Sequence, residues 1–186
     1  MKMRIAAPAL AAGALFAILS GTPVQAADSK DAAPPVGAEP QTTSATYGDW
    51  TLHCARGPDG VQVCELDQPF QMQGQQGLYA QLIIARGTAK GSYRALFEVA
   101  PNLSFPSTVK VGVDDKDPTP IDLTWRRCLP GPGCFADADV KDDIVKKWRT
   151  QAGPGRITFK DSTGHDVQVA FSFRGLPQAL DALVKD

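Results

Sequence analysis

From Asp49 to Gln68 the chain alternates in twos. Trp50, Leu52 and Cys54 are separated by Thr51, His53 and Ala55, the period of a strand with one buried face. Gly57-Pro58-Asp59-Gly60 then supplies a turn: Pro58 fixes φ early, Asp59 suits the next position, and Gly60 takes the left-handed conformation that closes a three-residue loop. With Gly57 and Val61 as the closing pair, Arg56 faces Gln62, Ala55 faces Val63 and Cys54 faces Cys64. If Gly57 and Val61 are hydrogen-bonded to each other, the two cysteines fall in a non-hydrogen-bonded pair, where facing Cα atoms are closest. That spacing suits a disulfide. The same register puts Trp50, Leu52, Cys54, Cys64 and Leu66 on one face, directed at a core.

The alternation recurs along the chain. Pro69 to Gly77 is a Gln- and Gly-rich loop. Tyr79–Ala85 and Tyr93–Val99 predict a pair of strands, Pro101–Pro106 interrupts, and Val109–Val113 and Ile121–Trp125 resume the period of two. Arg156–Lys160 and Val167–Phe173 predict a further hairpin around Asp161–Gly164. Two stretches change to helical spacing. Asp137-Ala138-Asp139 offers an N-cap to a helix carrying Val140, Ile144, Val145 and Trp148, with acids early and Lys146, Lys147 and Arg149 late. Gly175-Leu176-Pro177 opens a closing helix with an apolar stripe of Leu176, Leu180, Leu183 and Val184, expected to dock on the strands. Its polar face is not basic, which argues against a membrane surface. The fold class expected is mainly β, an antiparallel sandwich or barrel-like domain with two short peripheral helices.

The N-terminus follows other rules. Met1-Lys2-Met3-Arg4 is basic, Ile5–Leu19 is apolar, and Val24 and Ala26 are small residues at the −3 and −1 positions. This predicts a secretory signal peptide over residues 1–26, cleaved after Ala26, and hence a periplasmic or secreted protein. The run is short for a membrane span. Residues 27–46, rich in Ala, Pro, Ser, Thr, Asp and Glu without aromatics, read as a flexible tether. Residues 47–186 form the single folded domain by length. The whole sequence carries 19 basic and 20 acidic residues. Loss of Lys2 and Arg4 with the leader makes the mature chain more acidic still, which argues against nucleic acid as a partner. No later run is apolar enough to cross a bilayer.

All four cysteines lie in the expected domain, as Cys54-x9-Cys64 and Cys128-x5-Cys134. An even count behind a signal peptide points to two disulfides. Three connectivities are open, and the short spacings favour the two local pairs. A zinc site is the rival, disfavoured by the spacing and by an oxidising compartment.

The order of these motifs is itself informative. YGDWTLHC at Tyr47–Cys54, Cys-x-Leu-x-Gln at Cys64–Gln68, the turn from Pro101, Cys128-x5-Cys134-Phe-Ala, and FSFRGLPQALDAL at Phe171–Leu183 together resemble the invasion-associated locus B family. The likeness runs from about Tyr47 to the end of the chain. It implies an envelope protein of alphaproteobacterial type, periplasmic or outer-membrane associated, linked in some pathogens to entry into host erythrocytes. It brings no catalytic residues with it.

Candidate chemistry within the chain is sparse. His53 lies on a strand face opposite Cys54, and His165 lies in a turn beside Ser162 and Asp166. Three near neighbours in one loop do not build nucleophile, base and orienter unaided. Asp114-Asp115-Lys116-Asp117 lacks the Gly and terminal Glu of a calcium loop and reads as a solvated turn. No catalytic residue, metal ligand or cofactor is therefore expected. The favoured function is a non-catalytic envelope module that binds an unknown protein or envelope component. A periplasmic hydrolase and a structural envelope protein are the alternatives. The candidate stretch for touching a partner is Phe70, Gln71, Met72, Gln73, Gln75, Gln76 and Tyr79, where aromatics flank an adaptable Met and uncharged amides; the alternative is an ordinary mobile loop with no partner.

Overall fold

A computed structural model of the protein describes residues 41–71, 77–89 and 91–185, all within the compact unit Glu39–Asp186. Among these residues ten strands and two helices follow one another: β1 (Thr42–Tyr47), β2 (Trp50–Arg56), β3 (Gln62–Phe70), β4 (Ala80–Arg86), β5 (Tyr93–Val99), β6 (Val109–Gly112), β7 (Ile121–Leu129), β8 (Gly133–Val140), α1 (Asp142–Arg149), β9 (Gly155–Lys160), β10 (Asp166–Phe171) and α2 (Leu176–Lys185). The strands form one antiparallel sheet in the order β1-β2-β3-β4-β5-β8-β7-β6-β9-β10. It curls into a half-barrel, the barrel-like form of the expected class.

The curl has a local cause. The start of β7, Ile121 and Leu123, pairs with β6, whereas Thr124 to Leu129 pairs with β8, and the register shifts between Trp125 and Arg127. A bulge of this kind bends its strand and raises the twist. Inside the curl, period-two positions from successive strands converge: Trp50, Leu66, Leu82, Ile84, Phe97, Leu123 and Ile157 are almost wholly buried. The helix α2 adds Leu176, Ala179, Leu180 and Leu183 to the same core. Arg86 Nε caps the end of that helix by donating to Leu183 O at 2.8 Å. Arg149, from α1, donates to Pro177 O at 3.1 Å and pairs with Asp181 at 2.8 Å, tying the two helices together.

The first hairpin forms in the expected register. Gly57 N donates to Val61 O at 2.8 Å, Gly60 has φ of 78°, and Cys54 faces Cys64. Both disulfides are local, Cys54–Cys64 and Cys128–Cys134, with Cα atoms 4.0 and 3.9 Å apart.

Three local expectations are corrected. Asp137 and Asp139 do not cap a helix; they belong to β8, where period-two alternation wins because Asp137 turns outward to Arg94 and Arg126, at 2.8 and 2.7 Å. The helix begins after Lys141, whose side chain makes no capping hydrogen bond. Val184 leaves the apolar stripe of α2 and is 55% exposed, with Ala179 in its place on the buried face. The sheet also reaches back before Tyr47: β1 starts at Thr42, inside the stretch read as tether, because its backbone pairs with the edge of β2. The remainder of that stretch up to residue 40, and the leader, lie outside the described residues.

Candidate functional site

The two ends of the curled sheet meet at a seam formed by 47–50, 68–70 and 171–176. Gln68 is the centre of it. Strand alternation turns this residue inward with Leu66, and among the described residues it is the one buried polar residue of the core, 4% exposed. Its amide is satisfied by backbone from both sides. Nε2 donates to Asp49 O at 3.1 Å and to Ser172 O at 3.2 Å, and Oε1 accepts from Ser172 N at 2.7 Å. Trp50 Nε1 donates to the same Ser172 O at 2.8 Å. The end of β10 is thus sewn to β2 and β3 by side chains where no strand pairs with it.

Below Gln68 two tight turns touch. Gly48 and Gly175 both have positive φ, 61° and 87°, and any Cβ on either would run into the other turn's backbone at Arg174 O or Tyr47 O. Asp49 N donates to Arg174 O at 3.0 Å across the contact. The Arg174 guanidinium then grips the Asp49 carboxylate, Nε at 3.0 Å from Oδ2 with Nη2 on Oδ1. Hydrogen bonds from Arg174 and then Ser172 pull the Asp49 carboxyl down to about 2, since they favour the ionised form.

Beside the seam lies an open groove of about 460 Å³, lined by Asp49, Gln68, Pro69, Phe70, Pro154, Ala170, Phe171 and Ser172. Of the residues expected to meet a partner, Phe70 is half-buried and forms part of this wall. Tyr79 is half-buried next to it in the backbone: its N–H donates to Phe70 O at 3.0 Å and its carbonyl accepts from Ala100 N at 3.0 Å. Burial, with the charge of Asp161, pushes the Tyr79 hydroxyl up. Gln71 is exposed. Met72, Gln73, Gln75 and Gln76 lie outside the described residues.

The histidines fall elsewhere. His53 is on the outer face, its Nε2 2.9 Å from Asp67 Oδ1, yet that oxygen accepts no properly directed hydrogen bond. Burial raises Asp67, and the nearby His53 works against the rise. His165 Nδ1 lies 2.8 Å from Thr163 Oγ1 in an exposed turn. Ser162 turns instead to Asn102, so serine, histidine and aspartate do not form a relay there. Asp117 is drawn in from the acidic turn, its side chain 4% exposed, where it pairs with Lys147 and accepts from Val113 N and Thr119 N at 2.8 and 2.9 Å. Burial opposes its ionisation, but these hydrogen bonds outweigh burial and hold its carboxyl below the usual range. Asp114 and Asp115 do not follow it inward. Among the described residues no group of three or more His, Cys, Asp or Glu could hold a metal ion. No helix among them is long and apolar enough to cross a membrane.

Gln68, Ser172 and the glycine pair do not stand out as a site in the sequence. The signal available is a glutamine at an inward strand position, Leu66-Asp67-Gln68, where an apolar residue is the norm.

The fold and its seam define an antiparallel half-barrel stapled by two disulfides and closed by side chains. The family model described as Invasion associated locus B (IalB) protein matches residues 50–184, and the chain belongs to that family. The matched span takes in Trp50, Gln68 and the turn from Ser172 to Leu176, so most of the seam is built within it. Among solved structures, the crystal structure of invasion associated protein B from Bartonella henselae is similar, with 18% identity and a TM-score of 0.65. That likeness covers 77% of this chain and 96% of the other, and it supports the fold. No curated protein matches the chain.

Proposed function

We propose that this protein is a non-catalytic module of the bacterial envelope, exported by its N-terminal leader to the periplasm or beyond, that binds a protein or envelope component. The single observation that carries the reading is the groove at the seam. Its walls combine Phe70, Phe171, Pro69, Pro154 and Ala170 with the polar side chains of Asp49, Gln68 and Ser172, on a scaffold held by disulfides and the Asp49–Arg174 latch. Such a surface is made for contact, since aromatic anchors in a preformed concavity carry most of the energy of recognition. A role in contact with host cells is supported by the invasion-associated names of the family and of the similar Bartonella henselae protein. In this proposal the stretch from Phe70 to Tyr79 takes part in recognising the partner, with Phe70 on the groove wall.

The test is capture of envelope components by the immobilised chain lacking residues 1–26, combined with cell fractionation of the full-length protein. Phe70→Ala should reduce capture at least tenfold with little change in melting temperature. Replacement of residues 71–76 by a Gly/Ser linker should also reduce it. Equal capture by both folded variants, or a cytoplasmic fraction containing the processed chain, would refute the proposal.

A further inference from the structure

The side chain of Gln68 does for Ser172 what a neighbouring strand would do: it accepts from the N–H and donates to the C=O. Along β10 the same outward side returns every second residue. Asp161 N donates to His165 O at 3.0 Å, which sets the phase of the hairpin. In that phase Val167, Val169 and Phe171 bond to Phe159, Ile157 and Gly155, and the backbone N–H and C=O of Gln168 and Ala170 point away from β9. Among the described residues no strand pairs with them, because β10 ends the sheet. Two further facts mark this edge. Val167 and Val169 turn toward the core but are only half-buried, and the groove opens beside the edge at Ala170–Ser172.

We propose that the outer edge of β10 takes an extended segment of a partner polypeptide as an added strand. The segment would be uncharged, with small apolar side chains on the side that covers Val167 and Val169. This deepens, and rests on, the reading of the protein as a binding module. Main-chain hydrogen bonds supply affinity in strand addition, and alternate side chains supply selectivity. An uncharged segment fits because the groove's own carboxylate, Asp49, is already matched by Arg174. An incoming charge would lose water without gaining a partner. Gln68 fixes where the strand stops, since its amide already fills the rung at Ser172. The rungs at Ala170 and Gln168 remain, enough for a segment of about 4–5 residues at the usual strand rise. The opposite edge is different: β1 is exposed at Thr42 to Thr46, so a strand added there would complete no apolar burial. Edges without lysine, proline or a bulge accept strands readily, and Asp166, the one charge on β10, is paired with Lys160 at 2.8 Å.

The experiment follows amide hydrogen exchange by NMR in the chain lacking residues 1–26. The probe is a blocked heptapeptide alternating Thr and Val, with a copy N-methylated at alternate residues and a copy carrying Lys in place of Val. In the free protein the Gln168 and Ala170 amides should exchange fast. Saturating probe should slow both at least tenfold, and neither control peptide should do so. Ala170→Pro removes an N–H that β9 does not use, so it should fold and bind the probe at least tenfold more weakly. If that variant does not fold, exchange in the wild-type protein decides alone. Absence of binding, or bound probe that leaves both amides unprotected, overturns the proposal. So does protection that grows with protein concentration without probe, which would mean pairing with a second copy. Envelope capture separates this inference from the reading beneath it. Equal capture by wild type and Ala170→Pro removes the edge and leaves the module standing, whereas no specific capture by wild type removes the module.

Discussion

Gly48 and Gly175 hold the domain shut by having no side chains. Each occupies positive φ, and each turn fills the space where the other's Cβ would sit. Gly48→Ala and Gly175→Ala should each lower stability by about 2–4 kcal/mol, the sum of left-handed strain and a displaced backbone. The double variant should lose less than the two losses added, because both break one contact. Urea denaturation of the three variants measures this.

Replacing Gln68 by Leu keeps the volume but strands the Ser172 N–H and a share of the carbonyl acceptors at Ser172 and Asp49. The expected loss is about 2–3 kcal/mol, the desolvation cost of buried groups left unsatisfied. Gln68→Glu retains an acceptor for Ser172 N but loses both donated bonds, so it should fail as well. Thermal melts that show either variant at wild-type stability would remove Gln68 from the centre of the seam.

Asp49 and Asp67 predict opposite responses to acid. Asp49 titrates at about 2 when folded, below its ordinary value near 3.9. Its contribution is therefore present above pH ~4 and lost as pH falls toward 2. Asp49→Asn should flatten that part of the acid-denaturation profile, with a loss at neutral pH of at most about 1 kcal/mol for so exposed a pair. Asp67 is raised by burial, so its ionised form is disfavoured in the folded state. Its stability contribution declines as pH rises from its ordinary value through the raised one. Asp67→Asn should accordingly raise the melting temperature at pH 7 and do less at pH 4.

The disulfides give a direct chemical check. Non-reducing peptide mapping should return Cys54 linked to Cys64 and Cys128 linked to Cys134. Removing either pair as a double Cys→Ala variant should cost about 2–3 kcal/mol by loop-entropy arithmetic.

The strands are legible in the sequence because period two is written wherever one face is buried. Tyr93–Val99 appears with the limits expected, and the first hairpin falls in register because Gly60 and the cysteine spacing fix it locally. At β8 the signals compete. Asp137-Ala138-Asp139 satisfies the pattern of a helix start and the pattern of a strand equally well. The deciding term is Arg94 and Arg126 on neighbouring strands, invisible along the chain. The strand before Tyr47 is hidden for a related reason: Thr42–Thr46 has little apolar content, and it is held as a strand by pairing with β2. The seam is visible only as separate motifs. Gly48-Asp49-Trp50 and Arg174-Gly175-Leu176 each look like ordinary turns until the fold brings them face to face.

The stitched seam also governs when the domain can be finished. Trp50 and Ser172 are separated by 122 residues, and Asp49 and Arg174 by 125. Contacts of such high contact order form late, after the loop entropy between them has been overcome. A chain synthesised from its N-terminus can form the Cys54–Cys64 hairpin early but cannot close the seam until its last residues arrive. Until then the inward faces of β2 and β3 lack the cover that α2 and the end of β10 supply, and Trp50 and Leu66 are the side chains left waiting for it.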